Sequence, residues 1–335
     1  MTKKQLEQLF QDFNSLSVLI IGDVMVDAYY WGKVDRISPE APVPIVAVEK
    51  KERRLGGAAN VALNIQALGA KPILCSVIGE DDEGLAFKEI LKDLQLTDAG
   101  IVSSANRRTT QKTRIIGNNH QMLRVDSEDL FPINGNEQKS LISRIEKILQ
   151  AEKVDVIIFE DYDKGCISAE LIEAVVGKAN KMGIPTTVDP KKMQFLDYRN
   201  VTLFKPNLKE LKEGLKVDFD KNDKRALENA IAELKSRLHN KITLITLSEL
   251  GVFVQDEKDK HYIKAHQRDI SDVSGAGDTV ISVASLCLAL KQDIFNLSEL
   301  SNLAGGLVCE KVGVVPVDKA QLLMEAKELL AEDKE

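Results

Sequence analysis

Asp272-Val273-Ser274-Gly275-Ala276-Gly277-Asp278-Thr279 runs straight into an apolar stretch, residues 280–290, so two glycines, a small residue and a carboxylate sit where a helix must begin. A helix start presents backbone N–H groups without helical partners and the positive end of the helix dipole. Gly275 and Gly277 carry no side chain that would hold an anion away from those donors. Asp278 then stands beside the anion, placed to take a proton from an attacking hydroxyl. The chemistry that these types and spacings describe is phosphoryl transfer, with Gly275, Ala276 and Gly277 as amide donors and Asp278 as the base. A loop with a good N-cap has the same five-residue spelling.

Further candidates lie elsewhere. Asp23 and Asp27 follow a buried run, residues 18–22. Asp27 can accept hydrogen bonds from sugar hydroxyls, while Asp23 reads equally well as a turn residue. In Leu55-Gly56-Gly57-Ala58-Ala59-Asn60, Gly56 and Gly57 let a polyol approach the backbone, and Asn60, one turn in, can bond a hydroxyl. The same Gly-Gly is also a plain turn. Asn207 and Glu210, in Lys205-Pro206-Asn207-Leu208-Lys209-Glu210, share a helical face suited to organising the water shell of Mg²⁺ and nucleotide phosphates. Asn-x-x-Glu equally spells a capping box, and the segment alone does not choose. Thr246-Leu247-Ser248-Glu249-Leu250-Gly251 ends a strand in a polar turn suited to ribose or phosphate. Asn302 opens a small-residue helical segment, 302–306, on which a flat base could pack. Ordinary close packing accounts for both as well.

The elements that must position these residues alternate. Strand-like runs at 18–22, 72–78, 154–159, 185–188, 201–204 and 242–247 are separated by helical patterns such as 58–68, 83–94 and 168–182. This predicts a mainly parallel sheet covered by helices on both faces, with functional residues in the loops after the strands. Two regions break the rhythm. Residues 37–49 hold three prolines and end in alternating Ile45-Val46-Ala47-Val48, and residues 109–126 hold two strand-like pieces around Gly117-Asn118-Asn119. They predict a small antiparallel accessory sheet, a lid or dimer surface, inserted at about 30–52 and 108–126 in a single domain, 1–335. Only residues 332–335 look like a loose tail.

Composition narrows the classes. With 335 residues, 44% of them hydrophobic, the chain can bury a large core, and a net charge of −7 argues against a nucleic-acid surface or a polybasic membrane anchor. No apolar run of about 18 residues is present, and the N-terminus is polar, so a cytoplasmic protein is expected. Cys75, Cys166, Cys287 and Cys309 are far apart and read as reduced core thiols, and the four histidines show no metal or triad spacing. No Gly-x-x-x-x-Gly-Lys-Ser/Thr motif occurs.

Taken together, Gly56-Gly57-Ala58-Ala59-Asn60, Asn207-x-x-Glu210 and the segment 272–278 resemble, in order and spacing over about residues 15–320, the ribokinase-like (PfkB) carbohydrate kinases. The resemblance implies a three-layer αβα sandwich with a mainly parallel sheet and a small β lid, ATP as phosphoryl donor, Mg²⁺, and a homodimer formed through the lid. A narrower match rests on Arg36-Ile37-Ser38-Pro39-Glu40-Ala41-Pro42-Val43-Pro44, Asp161-Tyr162-Asp163-Lys164-Gly165, Val188-Asp189-Pro190-Lys191 and Gly275–Ile281. These look like the branch that phosphorylates the anomeric hydroxyl of D-glycero-β-D-manno-heptose 7-phosphate, for lipopolysaccharide core. Many members of that branch carry a second domain with His-x-Gly-His. This chain stops at Glu335 without such a histidine pair, and so resembles the kinase-only form.

Carried over residue by residue, Asp27, Gly56, Gly57, Asn60, Asp161 and Asp189 would face the sugar, with Lys112, Arg114, Arg124 and Lys164 as cations for its phosphate. Lys205, Asn207, Leu208, Lys209, Glu210, Thr246, Ser248, Gly251 and Asn302 would face the nucleotide, with Asn207 and Glu210 nearest the metal. Two positions depart from the pattern. Ser248 stands where the family often has Gly, and Glu160 where relatives commonly have a small residue before Asp-Tyr. Two other readings compete: a kinase of the same fold for a different sugar, and a non-catalytic sugar-binding regulator.

Overall fold

Strand β1 (Ser17–Gly22) sends Val18 and Ile20 into one core and Leu19 and Ile21 into another, because side chains alternate across a strand. A strand buried on both faces belongs in the middle of a covered parallel sheet. The computed structural model describes residues 1–331 and puts it there, while the expected tail, 332–335, lies outside the described residues. The strands that follow are β2 (Val24–Ile37), β3 (Pro44–Gly57), β4 (Lys71–Gly79), β5 (Gly100–Ser104), β6 (Gln111–Gly117), β7 (His120–Ser127) and β8 (Val156–Glu160). Then come β9 (Thr186–Asp189), β10 (Leu203–Phe204), β11 (Ile242–Thr246), β12 (Val252–Gln255) and β13 (Lys260–Ile263). The helices are α1 (Lys3–Asp12), α2 (Ala58–Ala67), α3 (Asp82–Asp93), α4 (Gly135–Ala151), α5 (Ala169–Met182), α6 (Leu208–Leu215), α7 (Lys224–Leu238), α8 (Ala276–Ala289), α9 (Ile294–Cys309) and α10 (Lys319–Leu329).

Nine strands form one sheet in the order β13-β12-β11-β10-β9-β8-β1-β4-β5. It is parallel from β11 to β5, and the short β12–β13 hairpin closes one edge antiparallel. Apolar stripes of α1, α2, α3, α8, α9 and α10 fill the core on one face, and those of α4, α5, α6 and α7 the core on the other. The three-layer α/β sandwich is therefore present. Strand β5 and the β12–β13 hairpin were not among the expected strands, and the run at 201–204 is a strand only at Leu203 and Phe204. Among the described residues no helix is long and apolar enough to cross a membrane.

The accessory sheet differs from expectation in two ways. Its order is β3-β2-β6-β7, and β2 pairs with β6 in parallel, so the sheet is mixed and not purely antiparallel. Two hairpins, β2–β3 and β6–β7, lie side by side, and α2, β4, α3 and β5 intervene in the chain between them, which lets β6 run alongside β2. The first hairpin is also longer than predicted. Strand β2 starts at Val24, one residue past β1, because Val24-Met25-Val26-Asp27-Ala28-Tyr29 alternates as a strand does.

Candidate active site

Strand order reverses between β1 and β8, since β4 and β5 continue from β1 on one side and β9, β10 and β11 from β8 on the other. Such a reversal opens a crevice beyond the carboxyl ends of the strands. Gly22 pairs with Glu160 there, and Glu160 with Asp189, so three strand ends meet. A Cβ at residue 22 would collide with the carbonyl oxygen of Glu160, so only glycine fits.

Over these tips stands the first turn of α8, capped by Gly275 at φ +83°, a left-handed conformation that favours glycine. Asp278 lies in that turn with 5% of its surface exposed. Its Oδ2 accepts a hydrogen bond from Asn60 Nδ2 at 2.6 Å, and its Oδ1 one from the Tyr162 hydroxyl at 2.8 Å. Burial pushes the carboxyl above its ordinary range; the bonds from Asn60 and Tyr162 oppose that, and Asp189 adds to it. The N–H of Ala276 turns back to the carbonyl of Val273 at 3.3 Å. The first-turn N–H groups of Gly277 and Asp278 are the ones without helical partners.

Lys205 is buried beside them, its Nζ 2.7 Å from Asp189 Oδ2. Burial alone would lower this lysine, but Asp189 and Glu210 outweigh it and keep the ammonium charged. A Cβ on Gly277 would stand 3.4 Å from Asp189 Oδ2 and 3.7 Å from Lys205 Nζ, so the bare helix start faces a fixed cation. An anion lodged there would meet amide donors, a helix dipole and an ammonium together.

Glu160 ends β8 with 1% exposure, and among the described residues neither of its oxygens has a hydrogen-bond partner. Burial, then Asp189 and Asp278, push its carboxyl well above the usual range. One oxygen each from Glu160, Asp189 and Asp278 lies within 4.8 Å of the others.

The capping-box reading of Asn207 and Glu210 is realised. Asn207 Oδ1 accepts the N–H of Glu210, while Glu210 Oε2 accepts the N–H of Asn207 and Oε1 pairs with Lys191. Neither side chain joins the carboxylate cluster. Leu208 packs against the core and Lys209 is exposed toward Glu213.

On the other side of the crevice, register puts Asp27, Lys112, Arg114, Arg124 and Asp126 on one face of the accessory sheet. Asp27 pairs with Arg114, and a side chain at Gly56 would strike Asp27 Oδ2. Arg124 is spent on Asp126 at 2.9 Å and Lys164 on Glu128 at 2.8 Å. Among the described residues Lys112 forms no ion pair; its Nζ stands 5.9 Å from the Tyr162 ring centre. Gly57, at φ +61°, lets the start of α2 pass close to the Asp23 carbonyl.

Several expected residues sit outside this convergence. Asp23 accepts the N–H groups of Tyr162, Lys164 and Cys166 and so staples that loop. Asp161 accepts from the Tyr198 hydroxyl and the Asp163 N–H, and burial raises it to about 7. Thr246 bridges to Asn207 at the mouth of β11, while Ser248 and Gly251 form the turn into β12. Asn302 Nδ2 donates to the Lys264 carbonyl, and Arg268 lies against Gly306, where a flat base was expected to pack. Tyr162, Lys191 and Glu160 were given no role from sequence. The available signal was their position within two residues of the carboxyl ends of two strands.

Known proteins bear on this arrangement. The profile described as pfkB family carbohydrate kinase matches residues 15–320. The chain is 39% identical over 308 residues to the "Bifunctional protein HldE" of Methylobacillus flagellatus, covering 92% of this chain and 62% of that protein. It is 40% identical over 320 residues to the protein of the same name from Caulobacter sp. strain K31, covering 95% and 64%. It thus spans less than two thirds of these relatives. Among solved structures, phosphofructokinase-2 from Escherichia coli superposes with a TM-score of 0.77 at 18% identity, over 94% of this chain and 99% of that one. The Arabidopsis thaliana ribokinase, solved with ribose and ATP, superposes with a TM-score of 0.69 at 16% identity, over 92% and 98%.

Proposed function

Because the chain belongs to the PfkB family of carbohydrate kinases, we propose that it transfers the γ-phosphoryl group of ATP to the C1 hydroxyl of D-glycero-β-D-manno-heptose 7-phosphate. The observation that carries the transfer is Asp278, held by Asn60 and Tyr162 at a glycine-lined helix start beside Lys205. The acceptor is supported by the heptose-kinase motifs and by the relatives named above.

Asp278 takes the proton of the C1 hydroxyl as its oxygen attacks the γ-phosphorus in line, and ADP leaves. The Gly277 and Asp278 amides and the Lys205 ammonium hold the charge of the transferring oxygens, which is most of what phosphoryl transfer asks of a protein. Asp27, Gly56, Gly57 and Asn60 hold the sugar, and the accessory sheet closes over it as a lid. Lys112 is the cation left for the 7-phosphate, because Arg114, Arg124 and Lys164 are already paired. Glu160 and Asp189 would hold a Mg²⁺ ion, which would supply charge neutralisation for the nucleotide phosphates. The residues fit such an ion: Glu160 and Asp189 present buried oxygens without partners, and Glu210 reaches the region through Lys191.

The face of the lid turned away from the sugar carries Ile115, Leu123 and Val125, with Leu123 55% exposed. A second copy of the chain across that face fits its apolar character and the edge strand β7.

The test is incubation of the protein with Mg-ATP and heptose 7-phosphate, with products read by mass spectrometry and ³¹P NMR. A 1,7-bisphosphate is expected. No turnover of this sugar, with turnover of another in a panel, moves the acceptor; no turnover of any sugar overturns the transfer.

A further inference from the structure

Glu160 has no part in the proton transfer or in holding the sugar, yet it is the most deeply buried carboxylate at the crevice. We propose that Glu160 and Asp189 are direct ligands of one divalent cation, bound by the folded chain before any nucleotide arrives, with Asp278 at the rim of the site. The proposal leans on the kinase reading for the cation's use, but not for its binding.

Hydrogen-bond accounting carries it. Three buried oxygens, Glu160 Oε1, Glu160 Oε2 and Asp189 Oδ1, have no hydrogen-bond partner among the described residues. A buried polar atom left unpaired is costly, and a buried charge more so. One proton shared between the two side chains would pair two of these oxygens and orphan the third. A divalent cation can take all three. The nearby ammonium groups do not serve: Lys205 is bound to Asp189 Oδ2, and Lys191 is committed to Glu210 and stands 4.0 Å from Asp189 Oδ1.

Charge points the same way. Three carboxylates converge within 4.8 Å against the single buried ammonium of Lys205.

Position completes it. Glu160 and Asp189 pair directly as the last residues of two adjacent parallel strands, so neither ligand rides on a loop. Hard oxygen donors without sulfur or imidazole select Mg²⁺ or Mn²⁺, and Mg²⁺ is commonly held by one or two carboxylates, with waters and phosphates completing the shell.

The experiment needs no sugar and no ATP. Mn²⁺ alone is titrated into the full chain, wild type and Glu160→Gln, and free Mn²⁺ is followed by electron paramagnetic resonance, with circular dichroism as the check on folding. One Mn²⁺ per chain, displaced by Mg²⁺, is expected for the wild type, and affinity reduced about tenfold or more for the variant. No uptake by wild type, or undiminished uptake by folded Glu160→Gln, overturns the proposal. Should the variant not fold, paramagnetic broadening in ¹⁵N-labelled wild type decides. Broadening centred on the amides of 160–162 and 189–191 supports the site, and broadening centred elsewhere overturns it. Failure to phosphorylate heptose leaves each of these results standing.

Discussion

At Asp278 opposing influences meet: burial and Asp189 favour the neutral acid, Asn60 and Tyr162 the carboxylate. A base must be ionised, so turnover should fall as pH drops through a value above the ordinary carboxylate range. Tyr162→Phe removes a donor to the charged form, raises the carboxyl further and moves the acid limb of the kcat profile to higher pH; an unmoved limb would separate Tyr162 from the base. Asp278→Asn should lower kcat by about 10²–10⁴-fold while ATP binding, measured by titration calorimetry, stays near that of the wild type. Asp161 affects stability instead. Its value near 7 in the fold stands above the 3.8 of an exposed aspartate, so the unfolded chain ionises first. The group is protonated in both states at low pH, and stability is lost as pH rises from about 4 to about 7, by at most about 4 kcal/mol. Urea unfolding at pH 5 and pH 8 should show roughly two thirds of that loss in the wild type and little of it in Asp161→Asn.

Helix α6 shows how one spelling can serve packing. Its capping box is complete, so Asn207→Ala should cost about 1 kcal/mol in chemical denaturation. The helix and strand series was legible because β-branched runs and caps such as Ser168 and Gly183 act locally. The start of α8 was legible for the same reason. What the sequence could not display were pairings between distant segments. The parallel contact of β2 with β6 depends on how two hairpins dock across the crevice mouth, and no local periodicity encodes it. Likewise, a carboxylate at the end of β8 is visible as letters, but residues 160, 189 and 278 meet only once β8, β9 and α8 are packed. Nor could spelling say which of four cations would find partners and leave Lys112 without one.

At the scale of the whole molecule, the accessory sheet has two unlike faces, one charged toward the crevice and one apolar. If a second copy covers the apolar face, Leu123→Asp with Val125→Asp should convert a dimer into a monomer in sedimentation velocity, with melting temperature nearly unchanged. A wild type that sediments as a monomer at all concentrations removes the dimer. The hydrogen bond from Asn60 to Asp278 joins α2 to α8 across 218 residues of chain. On the proposed mechanism, a polypeptide emerging from the ribosome carries Asp27 and Asn60 long before Asp278, so phosphoryl transfer would have to wait until α8 is made and packed against α2.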